Sequence, residues 1–416
     1  MNTMTTTVGG GTITLTDEEL GPYVTHAGTR QWLTGPGLPH ESALLGFGAV
    51  REGTGLRRVA ELVADAGVLA QELRDQLVIG SLRTLDRDLE SIVLDGTTGE
   101  ISTTSFHRDP GLMDLSPLAP SLEALLRFAE ATEELVESRG RFAMFEGRVG
   151  PKPVAAMTSH LTSHLTSHLT SHLTSLLAAR SASDEVRDLA PYWRMAALIR
   201  PLARIAGPGD GLALKLPLRL LDEEFGAGGI MRFEEVDFPT TLVHQPTRRF
   251  LTEVGLPEDG FMFPLDTEVA LPTLPEYYEQ ERPGYVPPAE LPVDADRLIR
   301  LGQLLQDTSL VVDGTTGAIL CWSESDRTLR PLNADISTLA FTVWLIHREK
   351  ALDARYDLTE SHAQPVPQQA LAATMTETLA TVDPVACDRT PTTPDDDGWR
   401  YWAGIFEDRA SGTLYA

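Results

Sequence analysis

The sequence predicts two tandem domains of the α+β class, and an internal duplication is the first observation behind that prediction. Residues 29–39 (TRQWLTGPGLP) recur as residues 247–257 (TRRFLTEVGLP). Residues 93–99 (VLDGTTG) recur as residues 311–317 (VVDGTTG), and both pairs are separated by the same 218 positions. A shared offset indicates that one domain-sized unit is duplicated, since solenoid repeats are far shorter.

The length of the chain agrees with this division. A chain of 416 residues with 42% hydrophobic content can bury two ordinary cores. We predict a first domain over residues 1–210, the divergent copy, and a second domain over residues 211–416.

The order of elements within each copy indicates the α+β class. Each copy begins with an acidic helical or turn segment, followed by a short helix that stops at Gly-Leu-Pro. Short apolar runs bounded by turn residues then predict strands, and apolar residues at three- and four-residue spacing predict a covering helix. The predicted short helix, strands and covering helix are 29–33, 76–80, 91–95 and 120–136 in copy one, and 247–251, 298–302, 310–313 and 335–348 in copy two.

An Asp-Gly turn is predicted after the second strand of each copy. The pairs at 95–96 and 313–314 tolerate the positive φ angles of a tight hairpin, so Ile101 and Ile319 are expected to return along the preceding strand. A phosphate cradle is the alternative for the Gly-Thr-Thr-Gly segment, although the lysine and glycine spacing of a phosphate loop are lacking.

The copies differ between the short helix and the strands. Residues 264–292 are rich in proline and acidic residues and predict an irregular surface excursion. Residues 51–73 take this place in copy one and predict a more helical run. The C-terminal part of each copy is predicted to be helical, ending near tryptophans that we expect in the core, Trp193, Trp399 and Trp402.

The chain is strongly acidic, and its charge is unevenly distributed. Of the formal net charge of −26, residues 1–210 contribute −8 and residues 211–416 contribute −18. Such a surface repels nucleic-acid phosphates and anionic membranes, and it attracts basic proteins at an enhanced rate. The alternative explanation is that the charge serves solubility alone.

Composition also predicts the compartment. The first 20 residues lack the basic and apolar regions of a leader, and no run approaches the roughly 18 apolar residues of a membrane span. Cys321 and Cys387 are too few for a disulfide framework or a cysteine-rich metal site, and both are predicted to be inert. We expect the protein in the cytoplasm.

A tetrapeptide repeat lies within copy one. Residues 158–173 read Thr-Ser-His-Leu four times, which places His160, His164, His168 and His172 at successive i,i+4 positions. Neighbouring imidazoles on a helix could share a metal ion, but the run offers no fixed carboxylate or thiolate as a further ligand. We predict an expanded helix or loop without a metal site, and incidental metal affinity is the alternative.

The sequence predicts neither catalytic machinery nor a cofactor. The signature motifs of serine hydrolases, zinc proteases, phosphate loops and dinucleotide-binding folds do not occur. His26 and His244 occupy equivalent places and are predicted to cap or pack beside the short helices, with an acid–base role as the alternative. Arg30 and Arg248 are predicted to pair with the Asp-Glu-Glu segments.

Four motifs in a fixed order resemble a known family. His-x-x-Thr-Arg-x-aromatic-Leu is followed by Gly-Leu-Pro, by Asp-Gly-Thr-Thr-Gly after a strand, and by Pro-Leu-Asn before a helix. This order resembles the SUKH superfamily of immunity proteins, in its actinobacterial polymorphic-toxin branch. The resemblance is strongest in copy two, over residues 244–263, 298–319 and 332–341. In copy one, Ala119 replaces Asn333.

The resemblance implies a fold and a function. Each domain is expected to be a mixed, mainly antiparallel sheet with packed helices. The protein is expected to be a non-enzymatic immunity protein that binds a toxin domain, of the nuclease or deaminase class, and occludes its active site. Contacts in such a family vary with the toxin, so the motif residues are expected to belong to the scaffold.

The acidic character of copy two predicts the partner and its contact surface. The expected partner is a basic protein toxin domain, rather than nucleic acid or a membrane. The predicted contact residues are Glu276, Glu279, Glu281, Asp294 and Asp296, and a solvated loop is the alternative for them. The alternatives for the whole chain are a regulatory or scaffolding module that binds an endogenous protein, and an enzyme of unrecognised type.

Overall fold

The chain forms two compact units. The computed structural model describes residues 11–40, 42–48, 50, 56–84, 88–169, 186–260, 263–267, 270–304, 307–359, 365–388 and 401–411. Unit 1 comprises residues 1–146, 156–198 and 358–373, and unit 2 comprises residues 147–155, 199–357 and 374–416.

Runs of strands are followed by runs of helices along the described chain. The helices are α1 (Asp17–Leu20), α2 (Ala27–Thr34), α3 (Gln71–Arg74), α4 (Leu122–Glu137), α5 (Pro151–Leu169), α6 (Pro191–Ile199), α7 (Leu220–Phe225), α8 (Gln245–Glu253), α9 (Leu274–Gln280), α10 (Ile336–Tyr356), α11 (Pro365–Val382), α12 (Pro384–Cys387) and α13 (Tyr401–Ser411). The strands are β1 (Thr12–Ile13), β2 (Leu38–Pro39), β3 (Leu45–Gly46), β4 (Arg57–Arg58), β5 (Leu77–Arg83), β6 (Asp88–Leu94), β7 (Ile101–Thr104), β8 (Ser116–Ala119), β9 (Ile230–Met231), β10 (Leu256–Pro257), β11 (Asp259–Gly260), β12 (Phe263–Pro264), β13 (Leu298–Leu304), β14 (Thr308–Asp313), β15 (Ile319–Ser323) and β16 (Thr328–Asn333).

An antiparallel sheet forms the centre of each unit. Unit 1 has the order β3-β5-β6-β7-β8 with β4 also paired to β5, and unit 2 has the order β13-β14-β15-β16. The predicted hairpins are confirmed, since Leu94 lies opposite Ile101 and Val312 lies opposite Ile319. Two-residue pairs, β1 with β2, β9 with β10 and β11 with β12, complete the described strands. The predicted α+β class with mainly antiparallel sheets is therefore confirmed.

The predicted covering helices are also present. Helix α4 begins after Ser121, whose side chain accepts a hydrogen bond from Ala124 N, and α10 begins after Asp335, which caps Ser337 and Thr338. Such caps satisfy backbone N–H groups that have no partner inside a helix. Helix α10 continues to Tyr356, beyond the predicted end at residue 348.

Equivalent histidine contacts join the short helix to the Asp-Gly turn in both units. His26 and His244 are the N-cap residues of α2 and α8, and their Nδ1 atoms lie 2.9 and 2.8 Å from Oγ1 of Thr29 and Thr247. The backbone N–H of each histidine donates to the carbonyl of the turn glycine, Gly96 or Gly314. The predicted cap is confirmed for His26, whose side chain also accepts from Thr29 N at 3.3 Å. The His244 side chain makes no cap hydrogen bond and instead packs beside its helix through Thr247.

The Gly-Thr-Thr-Gly segment is an aspartate-stabilised turn and not a phosphate cradle. In unit 1, Asp95 Oδ1 accepts from Thr97 N at 2.7 Å and from Thr98 N at 3.0 Å. Asp313 accepts from the two matching amides at 2.9 and 3.0 Å. A phosphate cradle needs such N–H groups to point at the ligand, so the phosphate alternative is wrong.

One of the two arginine predictions is confirmed and the other is wrong. Arg30 pairs with Asp17 of the first Asp-Glu-Glu segment at 2.6 Å. Arg248 instead pairs with Glu235 and donates to Leu242 O at 3.0 Å. The second Asp-Glu-Glu segment is used by Arg232, which pairs with its Asp222 at 2.7 Å.

The two differing segments are not as predicted. The excursion over residues 264–292 contains the two-turn helix α9, whereas the described part of residues 51–73 has 3-10 turns and the start of the one-turn helix α3. Copy one therefore does not have the more helical segment. The prediction treated the prolines of the excursion as evidence against a helix. Proline is well tolerated in the first turn of a helix, where Pro275 lies.

The predicted core position of the tryptophans is confirmed where the structure describes them, and Cys321 is buried whereas Cys387 is partly exposed. Trp193 and Trp402 are fully buried, and Trp399 lies outside the described residues. Burial raises the pKa of the Cys321 thiol to about 11, which keeps it protonated near neutral pH.

Candidate functional site

The predicted acidic residues lie on α9 and on the turn that precedes β13. Glu276 lies in the first turn of α9, Glu279 lies in its last turn, and Glu281 is the residue that caps its C-terminus. Asp294 and Asp296 belong to the 3-10 turn at Ala295–Arg297, which contacts α9. All five side chains are exposed. The structure therefore brings the predicted residues together on one segment of unit 2.

The N-terminus of α9 is fixed by a capping box. Thr273 is the N-cap residue, and Glu276 Oε2 accepts from Thr273 N at 2.8 Å and from Thr273 Oγ1 at 2.7 Å. Such reciprocal caps satisfy the first N–H groups of a helix. Glu276 thus stabilises the scaffold with one carboxylate oxygen, and its other oxygen has no hydrogen bond to the residues that the structure describes.

The buried side of α9 packs on the sheet of unit 2. Leu274, Tyr278 and Val286 form a core cluster with Leu298, Val311 and Trp322. Trp322 Nε1 donates to the Tyr278 hydroxyl at 3.0 Å. Burial, followed by the neighbouring Glu324 carboxylate, raises the pKa of Tyr278. Glu276 and Glu279 are therefore carried on a helix whose other side is closely packed.

Two arginines tie the chain after α9 to the β15–β16 hairpin. Arg282 donates to Oε2 of the fully buried Glu324 at 2.5 Å. Arg327 donates to Glu290 Oε2 at 3.0 Å and to the Glu324 carbonyl. Because a buried carboxylate is costly without a partner, Arg282 holds this segment on the hairpin.

A cleft of about 910 Å³ opens beside α9. Its walls come from three segments, namely residues 236–239, residues 265–267 with 270–272, and residues 276–277 with 280–282. Its floor is formed by Arg300 and Gln303 of β13. Two of the five predicted residues, Glu276 and Glu281, line the cleft, whereas the other three do not.

Close contact at a glycine positions the wall made by residues 265–267 and 270–272. Gly302 follows the bulge in β13, and a Cβ atom at this position would collide with the carbonyl oxygen of Pro264. Asp266 N donates to Leu301 O at 3.1 Å, and Arg300 N donates to Pro272 O at 2.9 Å. The outer edge of β13 is therefore paired locally with this wall, through bridges of Gly302 with Leu265 and of Ile299 with Thr273.

Arg300 is a buried cation, and each nitrogen of its guanidinium group donates a hydrogen bond. Its side chain donates to Ser309 Oγ at 3.1 Å, to Gln303 Oε1 at 3.1 Å and to the carboxylate of Asp266. Its Cζ lies 3.9 Å from the centre of the Tyr277 ring. Paired and stacked in this way, a guanidinium can remain charged at 2% exposure.

Unit 1 lacks the counterpart of this arginine. The bulge in β5 between Val78 and Gly80 matches the bulge in β13 between Arg300 and Gly302, so Val78 takes the place of Arg300. Val78 packs against an apolar cluster that includes Val59 and Leu73. The arginine floor is therefore a feature of unit 2.

Sequence reasoning missed Arg300, Asp237 and Tyr277. Residues 298–302 were predicted to be an apolar strand, yet Arg300 lies at its centre. A single charged residue within a strand that is otherwise buried is the signal that could have revealed it, because such a charge needs fixed partners.

The histidine repeat packs within unit 1. Its described part belongs to α5, where His160 lies edge-on to Phe142 with ring centres 5.2 Å apart, and Arg141 donates to His164 Nε2. Burial, with the nearby Arg141 cation, lowers the pKa of His164 to about 4. Among the described residues no group of three or more His, Cys, Asp or Glu side chains could hold a metal ion, and His172 lies outside them.

Comparison with known proteins identifies the family. The family model of the SUKH-4 immunity protein matches residues 2–173 and again residues 216–408. The chain belongs to the SUKH-4 immunity protein family. The two matches place one SUKH-4 domain in each copy, which confirms the tandem duplication. Neither the curated proteins nor the solved structures contain a match to this chain. Within the described part of this SUKH-4 chain, the helices are all too short or too polar to cross a membrane.

Proposed function

We propose that this chain is an immunity protein that binds a toxin domain of the nuclease or deaminase class and neutralises it by occluding the active site. The match of the SUKH-4 family to both copies is the observation that carries this proposal. It acts by binding and without catalysis, in the cytoplasm, where such a toxin would attack its substrate. We retain residues 1–210 and 211–416 as the two domains.

The proposed contact surface is the acidic face of unit 2, made of Glu276, Glu279, Glu281, Asp294 and Asp296. This choice of surface is supported by the exposure of its residues on a closely packed segment, since a pre-organised surface loses little conformational entropy on binding. Asp294 is the least available member, because it pairs with Arg297 at 3.2 Å.

The charge of this face suits a basic partner. Enzymes that act on nucleic acids carry basic surfaces that neutralise phosphates. An acidic cover over such a surface would attract it and compete with its substrate. The same charge disfavours nucleic acid and anionic membranes as partners of this chain.

A growth-protection assay tests the proposal. The toxin-domain genes adjacent to the gene for this chain are each induced in a bacterial host, with or without this chain. Wild-type chain is expected to restore growth against one such toxin and to form a purified complex that blocks its catalytic activity. If it protects against none, or if it binds without inhibiting, the immunity function is wrong, and stable capture of an endogenous protein instead would favour the regulatory alternative.

Matched charge reversals test the surface. Glu279→Lys with Asp296→Lys is expected to weaken protection, whereas Glu72→Lys with Glu100→Lys, at exposed positions of unit 1, is expected to leave it intact. Equal loss from both pairs would contradict the placement on unit 2.

A further inference from the structure

The cleft beside α9 has a charge imbalance that the acidic face alone does not explain. Six charged residues line it, namely Asp237, Asp266, Glu276, Glu281, Arg282 and Arg300. Both arginines are compensated, Arg300 by Asp266 and Arg282 by Glu324. Within the described chain, the carboxylates of Asp237, Glu276 and Glu281 have no arginine or lysine partner. Three uncompensated negative charges therefore surround one concave space.

The buried arginine does not make the cleft an anion site. Each nitrogen of the Arg300 guanidinium already donates to Ser309, Asp266 or Gln303, and one face lies on the Tyr277 ring. An incoming anion would meet Asp266 at the guanidinium group and three further carboxylates around the cleft. The charge of the cleft favours a cation.

The spacing of the carboxylates selects the kind of cation. No group of three or more potential ligands among the described residues is close enough to hold a metal ion. The carboxylates are carried instead by separate walls, residues 236–239 and α9 with its C-cap. A longer organic cation could reach them where a single metal ion could not.

The apolar parts of the walls suit a side chain with an aliphatic stem. Leu265, Leu271 and Val236 line the cleft, and Val236 is 78% exposed. Arginine and lysine bury their methylene groups on such surfaces while the charged head stays with polar partners. A planar guanidinium can also bind a carboxylate through two hydrogen bonds.

We propose that this cleft is the anchoring pocket for one basic side chain of the protein partner. The identification of that partner as a toxin domain rests on the proposed function. Glu281 is the principal anchor, since it lines the cleft, is exposed and has no described side-chain partner. Glu276 contributes its second carboxylate oxygen. Glu279 lies on the same helix but outside the cleft, and it contributes only to the long-range electrostatic attraction of the partner. Unit 1, with Val78 in place of Arg300, has no equivalent of this pocket floor.

A peptide experiment tests the pocket without knowledge of the toxin. The probe is acetyl-Gly-Arg-Gly amide, and its control carries citrulline, the neutral isostere of arginine. Saturation-transfer NMR at low salt is expected to show binding of the arginine peptide to the full chain, with a Kd on the order of 1 mM, and little binding of the citrulline peptide. Equal signals from the two peptides, or no signal from either, would overturn the proposal.

Two variants with the same charge change locate the binding. Glu281→Gln is expected to lower the affinity for the arginine peptide about tenfold, because a charge-assisted hydrogen bond is lost. Glu279→Gln is expected to change the affinity less than about twofold, since its charge is screened by solvent. Matching losses in the two variants would place the peptide outside the cleft. Thermal unfolding of both variants checks that the fold is retained.

The toxin complex separates the two proposals. Glu281→Gln is expected to raise the dissociation rate about tenfold, whereas Glu279→Gln is expected to affect mainly the association rate. If the complex forms and both variants dissociate alike, the pocket is wrong and the immunity function stands. If the arginine peptide binds at Glu281 but no adjacent toxin is neutralised, the immunity function is wrong and the pocket stands.

Discussion

Gly317 lies so close to the imidazole of His244 that a Cβ atom on this glycine would collide with Nδ1. Gly99 and His26 repeat the relationship in unit 1. Both glycines also have positive φ angles, 78° and 82°. The turn can therefore close on the histidine only if no side chain is present, which explains why the same residues fill these positions in both copies.

Substitution of Gly317 by alanine is expected to destabilise unit 2 by about 3 kcal/mol. Part of this effect comes from the left-handed backbone, and part comes from overpacking against His244. Urea unfolding measures the loss as a lower midpoint with an unchanged slope.

Gly284→Ala is the matched control for this substitution. Gly284 has φ 79°, nearly the angle of Gly317, but a Cβ atom there meets nothing within 4 Å. Its substitution is expected to cost only about 1 kcal/mol, the conformational part alone. If the two variants lose equal stability, the contact with His244 has no energetic role.

Removal of the partner of Arg300 is expected to be more costly than removal of the arginine itself. Asp266→Asn leaves a buried guanidinium without its counter-ion and is expected to lower the stability of unit 2 by about 3 kcal/mol. Arg300→Met leaves only Asp266, whose side chain is 29% exposed and can be hydrated, so its cost is expected to be about 1 kcal/mol. Chemical unfolding of both variants checks the order.

Asp17→Asn provides the control, because it breaks the exposed pair between Arg30 and Asp17 in unit 1. Asp17 is 78% exposed, and such surface pairs contribute less than about 1 kcal/mol. An Asp266→Asn variant as stable as Asp17→Asn would show that burial of Arg300 does not depend on its ion pair.

The scaffold was largely predictable from sequence, because its signals are local. Hairpin turns, apolar alternation and the helix stop at Gly-Leu-Pro act over a few residues, and the duplication supplied a second observation of each. The positions of His26 and His244 at the starts of their helices were predictable for the same reason. The ion-pair partner of Arg248 was not predictable in this way. Glu235 and Asp222 both precede it in the chain, and only the folded loop determines which of them it meets.

The cleft depends on contacts that sequence spacing does not encode. Arg300 meets Asp266 across 34 positions, and Arg282 meets Glu324 across 42. The effect of having Ala119 in copy one where copy two has Asn333 can also be interpreted only from the structure. Asn333 is 1% exposed and accepts from Trp402 Nε1 at 3.0 Å, so this departure of copy one alters a core contact and not a binding surface.

Acidification is expected to weaken unit 1 through His164. Its folded pKa of about 4 lies below its usual value of 6.5, because the neutral ring is buried and accepts a hydrogen bond from Arg141. A lowered histidine pKa contributes stability that is complete above about pH 6.5 and is lost as the pH falls towards 4. The loss is expected to be about 1–2 kcal/mol, allowing for solvent screening.

Unfolding measured at pH 7 and pH 5 in wild type and His164→Gln tests this expectation. The variant should lose less stability on acidification than wild type does. An unchanged difference between the two pH values in His164→Gln would assign the acid sensitivity to other groups.

Salt is expected to act on the encounter of the acidic face with its partner and not on the finished complex. Attraction between exposed charges is screened over about 10 Å at 0.1 M salt, so raising the salt from about 0.05 to about 0.5 M should slow association with the toxin domain about tenfold. Glu279→Lys with Asp296→Lys should slow association about fivefold at low salt and flatten its salt dependence. Dissociation should change less than about twofold, because neither residue lines the cleft.

Stopped-flow mixing measures the association rates, and Glu72→Lys with Glu100→Lys controls for net charge. A salt-insensitive association rate would contradict steering, since the five carboxylates could then act only by contact.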